Sequence, residues 1–149
     1  MLMNSHCRSG WLFGLLVVCA AGCGGGEKGP EFVIVHGKIT VDGAPLKGLM
    51  VGFSPDLSKK TRGPMSAGQT DAAGEYKLAG PGGRAGAVVG FHNVTVTCPI
   101  IGSTMDGKPP EPTSPCKLPD TLADPQQSGL TAEVKAGGGP INFDLKSRP

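Results

Sequence analysis

The groups able to do chemistry in this 149-residue chain are three histidines, five cysteines, twelve acidic side chains and a scatter of serines. An acyl-transfer hydrolase needs a nucleophile, a base and an acid that orients the base. Ser54, Ser58, Ser66, Ser103, Ser114 and Ser128 are available, and none stands in a Gly-x-Ser-x-Gly elbow. His36 and His92 fall on separate extended segments, each without a histidine or cysteine at ligand spacing. A histidine beside a strand bend reads as a surface or hydrogen-bonded residue rather than a catalyst. Asp42, Asp56, Asp106, Asp120 and Asp124 stand next to Gly or Pro, the turn setting of aspartate, while Asp71 and Asp144 complete the set of acids weighed as acid–base pairs. Asp71 is the best calcium candidate, yet Asp71-Ala72-Ala73-Gly74 lacks the alternating oxygen donors calcium requires. The glycine-rich run 80–86 precedes no helix and has no Gly-Lys-Ser/Thr ending, so it is no phosphate cradle. No catalytic residue, metal or cofactor is assigned, and the chain reads as a non-enzyme.

The strongest address signal lies at the other end of the chain. His6 and Arg8 make a short polar start, Trp11 to Ala20 is apolar apart from Gly14, and Ala20-Ala21-Gly22-Cys23 leads into Gly24-Gly25-Gly26. That order is a secretory signal layout, with an apolar run too short for a permanent membrane span. It resembles the lipobox of bacterial lipoproteins, with Ala20 where that family usually has Leu. The resemblance implies a signal peptide over 1-22, acylation of Cys23 as the new N-terminus, and a flexible tether over 23-31. The alternatives are an ordinary signal peptide and an anchor that is never cut. On the lipoprotein reading the partner is a membrane, reached through the lipid anchor, and the location is the bacterial cell envelope, facing the periplasm or the exterior. The mature chain is then 149 − 22 = 127 residues, enough for one domain.

The same reading sorts the cysteines. Cys7 and Cys19 leave with the signal and Cys23 carries lipid, which leaves Cys98 and Cys116 in an oxidising compartment. A bridge between them closes a loop of 116 − 98 = 18 residues, for about 3 kcal/mol in the chain-entropy model. Two free thiols are the alternative. Zinc is disfavoured, since two cysteines without a nearby histidine cannot complete a tetrahedral site. Loss of Arg8 leaves 14 − 1 = 13 basic against 12 acidic side chains, with no long block of one sign, so there is no footprint for nucleic acid. With 25 Gly and 14 Pro the chain is rich in turns and poorly suited to a helical bundle.

From Phe32 onward the period is two. Val33, Val35, Ile39 and Val41 share a face opposite His36, Lys38 and Thr40, and Gly37 interrupts the inward row, a sign of a bulge or close approach. Asp42-Gly43 turns the chain; Leu49, Val51 and Phe53 alternate with Met50, Gly52 and Ser54; and Pro55 stops the run. Lys59, Lys60 and Arg62 occupy a solvated loop. Asp71-Ala72-Ala73-Gly74 is read as the tip of a tight hairpin joining 66–70 to 75–78, with Asp71 accepting from backbone N–H groups and Gly74 at positive φ. Val94 and Val96 mark another strand. Residues 98-125 form a Pro-rich loop, the expected binding feature of the domain. Leu130, Ala132 and Val134, then Ile141, Phe143 and Leu145 across Gly137-Gly138-Gly139, are read as a closing antiparallel hairpin. About seven strands and no helix after the signal make an all-β, seven-stranded antiparallel β-sandwich.

Two stretches carry a family resemblance. Residues 35–46, Val-His-Gly-Lys-Ile-Thr-Val-Asp-Gly-Ala-Pro-Leu, and residues 70–78, Thr-Asp-Ala-Ala-Gly-Glu-Tyr-Lys-Leu, resemble the opening strand and the hairpin of the carboxypeptidase regulatory-like domain. Val94 to Thr97, Leu118-Pro119-Asp120, the run Ser128 to Val134 and the tail Ile141 to Leu145 are similar to later parts of small lipoproteins carrying it. The resemblance covers roughly Val33 to Leu145. It implies a transthyretin-like (prealbumin-like) sandwich over 32-146, with Asp42, Gly43, Asp71 and Gly74 as structural turn residues. It also implies a non-catalytic role, here as a structural or protein-binding module with an unidentified envelope partner. A small-ligand or carbohydrate-binding module is the alternative, although the sole Trp departs with the signal and the alternation turns most other rings inward. Some related surface sandwiches join a Lys of the first strand to an Asn of the last, for which Lys38 and Asn142 are the matching pair.

Overall fold

The computed structural model describes residues 29–98 and 116–148. The signal segment 1-22, Cys23, most of the tether and the 99–115 part of the Pro-rich loop lie outside the described residues. The first period-two stretch becomes β1 (Phe32–Val33) and β2 (Val35–Val41), in which Val35, Gly37 and Ile39 are buried and His36 and Lys38 exposed. Asp42 and Gly43 take φ of 51° and 78°, the left-handed pair that an Asp-Gly turn accepts, and the chain returns as β3 (Ala44–Pro45). Next come β4 (Met50–Pro55) and β5 (Ser66–Gln69), paired antiparallel with Phe53 opposite Ser66. The Asp71 carboxylate accepts from the N–H groups of Ala73 and Glu75 at 2.8 and 3.0 Å, and Gly74 sits at φ 75°. Then follow β6 (Glu75–Lys77), β7 (Ala87–Val88), β8 (Gly90–Thr97), β9 (Leu130–Val134), β10 (Gly139–Pro140) and β11 (Phe143–Leu145).

The fold is an all-β sandwich. One layer is the antiparallel sheet β5-β4-β8-β9. The other is built on β2. His36 pairs with both Lys77 and Pro140, and Thr40 with both Pro45 and Asp144, so β6 and β3 line one edge of β2 while β10 and β11 line the other. A two-strand ribbon, β1 with β7, adjoins them. The inward rows meet in one core that contains Val35, Ile39, Tyr76 and Leu145 from the β2 layer and Val51, Phe53, Val94, Val96 and Val134 from the other. Phe53 bridges the layers, with its ring centroid 6.3 Å from those of Tyr76 and Phe143.

Four sequence expectations change. The chain does not close on an antiparallel hairpin: β9 pairs antiparallel with β8, whereas β10 and β11 run parallel to β2, and the 135–138 turn carries the chain from one layer to the other. Both segments alternate in the same way, and alternation marks a buried face without naming a partner. The Asp71–Gly74 turn forms, but its arms part: β5 joins β4, β6 joins β2, and only Ala67 and Ala79 bridge between the arms, through 2.9 and 2.8 Å bonds. The extended segments number eleven among the described residues, several of them two residues long. Finally, 116–124 is not a plain loop. Cys116, Leu118 and Leu122 are buried in the core, and Asp120–Ala123 makes a 3₁₀ turn packed on β8. The Cys98 and Cys116 sulfurs lie at disulfide distance, 2.04 Å, which ties the end of β8 to this packed segment.

A close backbone approach falls at Gly37. A Cβ there would lie 1.8 Å from the Ile141 carbonyl oxygen and 3.0 Å from the Tyr76 ring. The strand after β10 therefore crosses where β2 has no side chain, which is the close approach its sequence signalled. Gly37→Ala is expected to lower the free energy of unfolding by about 1–3 kcal/mol, the range for overpacking, as read from urea denaturation. Cys98→Ser with Cys116→Ser is expected to cost about 3 kcal/mol in the same measurement, and reduction of the unsubstituted protein should lower stability by a similar amount.

Candidate functional site

An open groove of about 530 Å³ lies on the outer face of the β2 layer. Its walls follow from strand register. On the face opposite the core, Lys38 lies across from Glu75 and His36 across from Lys77. Asp71 and Gln69 stand at one side, Pro140 and Asn142 at the other. Gly37 and Tyr76 form the floor, with the Tyr76 ring itself turned into the core. Tyr76 is 2 % exposed and its hydroxyl donates to the Ile141 carbonyl at 2.7 Å. Burial holds the phenol well above its ordinary range, so it does not exchange protons near neutral pH.

The groove carries charge of both signs on exposed side chains. The groove brings His36 and Asp71 to one surface but does not join them. Among the described residues the His36 ring makes no hydrogen bond, and the Asp71 carboxylate is occupied by its own turn. The other acids serve comparable local roles. Hydrogen bonding by Ser147 holds the Asp42 carboxyl below its usual range, Ser58 does so for Asp56, and Gln126 and then Gln127 for Asp124. Asp144 accepts from the Thr40 hydroxyl at 2.9 Å, and Asp120 meets the Arg148 guanidinium at 3.1 Å. Asp106, Ser103 and Ser114 lie outside the described residues. Lys38, on β2, and Asn142, between β10 and β11, do stand side by side. Their contact is a hydrogen bond from the Lys38 backbone N–H to the Asn142 amide oxygen, 2.8 Å, with both residues exposed.

His92 corrects the sequence reading. It belongs to the inward row of β8 with Val94 and Val96 and is 1 % exposed, with its ring centroid 5.8 Å from that of Phe53. Its Nδ1 lies 3.1 Å from the Gly90 carbonyl, which favours the tautomer with hydrogen on Nδ1, while Nε2 is buried without a partner. Ser66 Oγ, opposite Phe53 on β5, is likewise buried and unpartnered, so the two groups are not bonded to each other. The even parity of residues 92, 94 and 96 was the signal that placed His92 inside. Phe91, of opposite parity, is 43 % exposed, on the outer face of the other sheet. No exposed Phe, Tyr or Trp ring lines the groove, and among the described residues no cluster of three His, Cys, Asp or Glu side chains could hold a metal. The chain matches no family model, no curated protein and no solved structure.

Burial lowers the His92 pKa from its ordinary 6.5, against a smaller opposing effect of the Gly90 carbonyl. Between the lowered folded value and 6.5 the unfolded chain binds the extra proton. Stability therefore rises with pH through that window and is fully present above it. Chemical denaturation from pH 7.5 down to pH 5 is expected to show progressive loss of stability, and His92→Phe is expected to flatten that slope. An equal slope in the variant would assign it to another group.

Proposed function

We propose that this chain is a lipid-anchored, non-catalytic β-sandwich module of the bacterial cell envelope, held to a membrane through Cys23 and used to bind or brace another envelope protein. The observation that carries this reading is how the chain is divided. Every residue of the buried core lies between Val35 and Leu145, while the Ala20-Ala21-Gly22-Cys23 motif stands a short glycine-rich stretch ahead of β1. A self-contained fold behind a short tether suits display from an acylated cysteine, and two acyl chains meet the requirement for stable attachment. The match of residues 35–46 and 70–78 to carboxypeptidase regulatory-like motifs supports the same reading, because their Asp-Gly and Asp-to-Gly turns have structural roles here.

For the binding role, the two outer faces point to the groove. The outer face of the β5-β4-β8-β9 sheet presents mainly uncharged residues such as Gly52, Ser54, Ala67, Thr95 and Thr131. The groove face presents Lys38, Glu75, Lys77 and His36 in register, a mixed-charge strip suited to the side chains of an extended protein segment. The anchor is tested by metabolic labelling with a fatty-acid probe. Label is expected on the unsubstituted chain and absent from Cys23→Ser, and labelling that persists in the variant would remove this thiol as the attachment point.

A further inference from the structure

The chain enters the fold through a basic collar. The loop 56–64 is fastened there from inside. Thr61 is 6 % exposed; its hydroxyl accepts from the Phe91 N–H at 2.8 Å, and its own N–H donates to the Asp56 carbonyl at 3.1 Å. Gly63 packs against the entering chain, since a Cβ there would stand 3.4 Å from Pro30 and 2.7 Å from Val88, the partner of Phe32 in β1. With Thr61 turned inward, Lys59, Lys60 and Arg62 all face outward, and Leu57 beside them is 74 % exposed. On the other flank the exposed Arg84 guanidinium lies 4.8 Å above the Phe32 ring. Two acids stand nearby. Asp56 is engaged by the Ser58 N–H and hydroxyl at 2.9 and 2.6 Å, and Glu31 is exposed on the entering strand.

We propose that this end of the sandwich is a bilayer-facing surface that binds anionic phospholipid headgroups. Lys59, Lys60, Arg62 and Arg84 supply the attraction, and Leu57 reaches the interfacial layer. The inference rests on Cys23 being the acylated residue, and chain length makes it geometrically natural. The seven residues from Gly24 to Pro30 span at most about 25 Å whatever their conformation, so an anchored Cys23 keeps the collar close to the headgroups. Each Lys or Arg brought to an anionic surface raises partitioning about fivefold, and salt screens the effect. The collar also sets orientation: the end carrying the entry strand faces the lipid and leaves the two outer sheet faces along the sides free for a protein partner.

The test uses the full chain with Trp11→Phe and Leu57→Trp, so that the indole at position 57 is the only one. Protein purified from membranes is reconstituted in phosphatidylcholine vesicles with or without about one-third phosphatidylglycerol, each carrying headgroup-proximal brominated lipid. Quenching of the indole is expected to be strong on the anionic vesicles, weak on the neutral ones, and reversed by high salt. Lys59→Glu with Arg62→Glu, which leaves the left-handed Lys60 untouched, is expected to abolish the contrast while circular dichroism stays unchanged. Equal quenching on both vesicle types would overturn the proposal. Intact mass of the same samples separates the two ideas. Acylated protein without the contrast refutes the collar alone. Protein without acyl chains refutes the anchor, and the collar is then judged by the same contrast on protein added to the vesicles from solution.

Discussion

The sandwich depends on β2 being hydrogen-bonded along both edges while leaving room, at its middle, for a carbonyl to cross. Four partners converge on this strand: β3 and β6 from one side, β10 and β11 from the other. The Ile141 carbonyl passes over Gly37 and there also accepts the Tyr76 hydroxyl, a hydrogen bond of 2.7 Å. The missing side chain at one residue thus permits three things together: parallel closure of the sheet, satisfaction of a buried phenol, and the floor of the surface groove. Asn142, one residue on, adds a further tie by accepting from the Lys38 N–H.

Around that strand the stability is distributed among small local locks. Asp42, Asp56, Asp71 and Asp124 each spend their carboxylates on turn or chain-end N–H groups. Asp71 is committed to its own turn in this way although it shares a surface with His36. The disulfide acts on a longer scale, fastening the end of β8 to a segment whose Leu118 and Leu122 enter the core. Phe53 is the opposite kind of element, a single large ring against which Tyr76, His92 and Phe143 all pack. The imidazole at its side is buried, and burial opposes its protonation.

The arrangement divides the molecule's surface by role. The entry end carries cations, the β2 layer carries a mixed-charge groove, and the second sheet presents mainly uncharged side chains, Met50 and Phe91 among them. Residues adjacent in sequence serve different surfaces because strand alternation separates them. Lys38 lines the groove while Ile39 fills the core, and Arg62 faces out while its neighbour Thr61 is locked in.

Much of this was legible in the residues themselves. The all-β class, the buried rows at 35–39, 49–53, 76–78 and 94–96, the Asp42-Gly43 and Asp71–Gly74 turns, and the close approach at Gly37 all follow from period-two alternation and turn chemistry. These are local properties that a short stretch of chain expresses without knowing its neighbours. The parity of His92 with Val94 and Val96 is on view too, yet by sequence the residue reads as a surface or hydrogen-bonded group, and its burial becomes plain only in the structure. What only the tertiary structure decided was which strand lies beside which. β11 alternates like any half-buried strand, and nothing in Phe143–Leu145 says that it returns parallel to β2 rather than antiparallel to β9. The parting of β5 and β6 into different layers, the packing of Leu118 and Leu122, and the seating of Gly63 against Pro30 and of Arg84 over Phe32 were hidden for the same reason. Side-chain pattern selects a face, whereas pairing is chosen by contacts between segments far apart in the chain, and those exist only once the layers close.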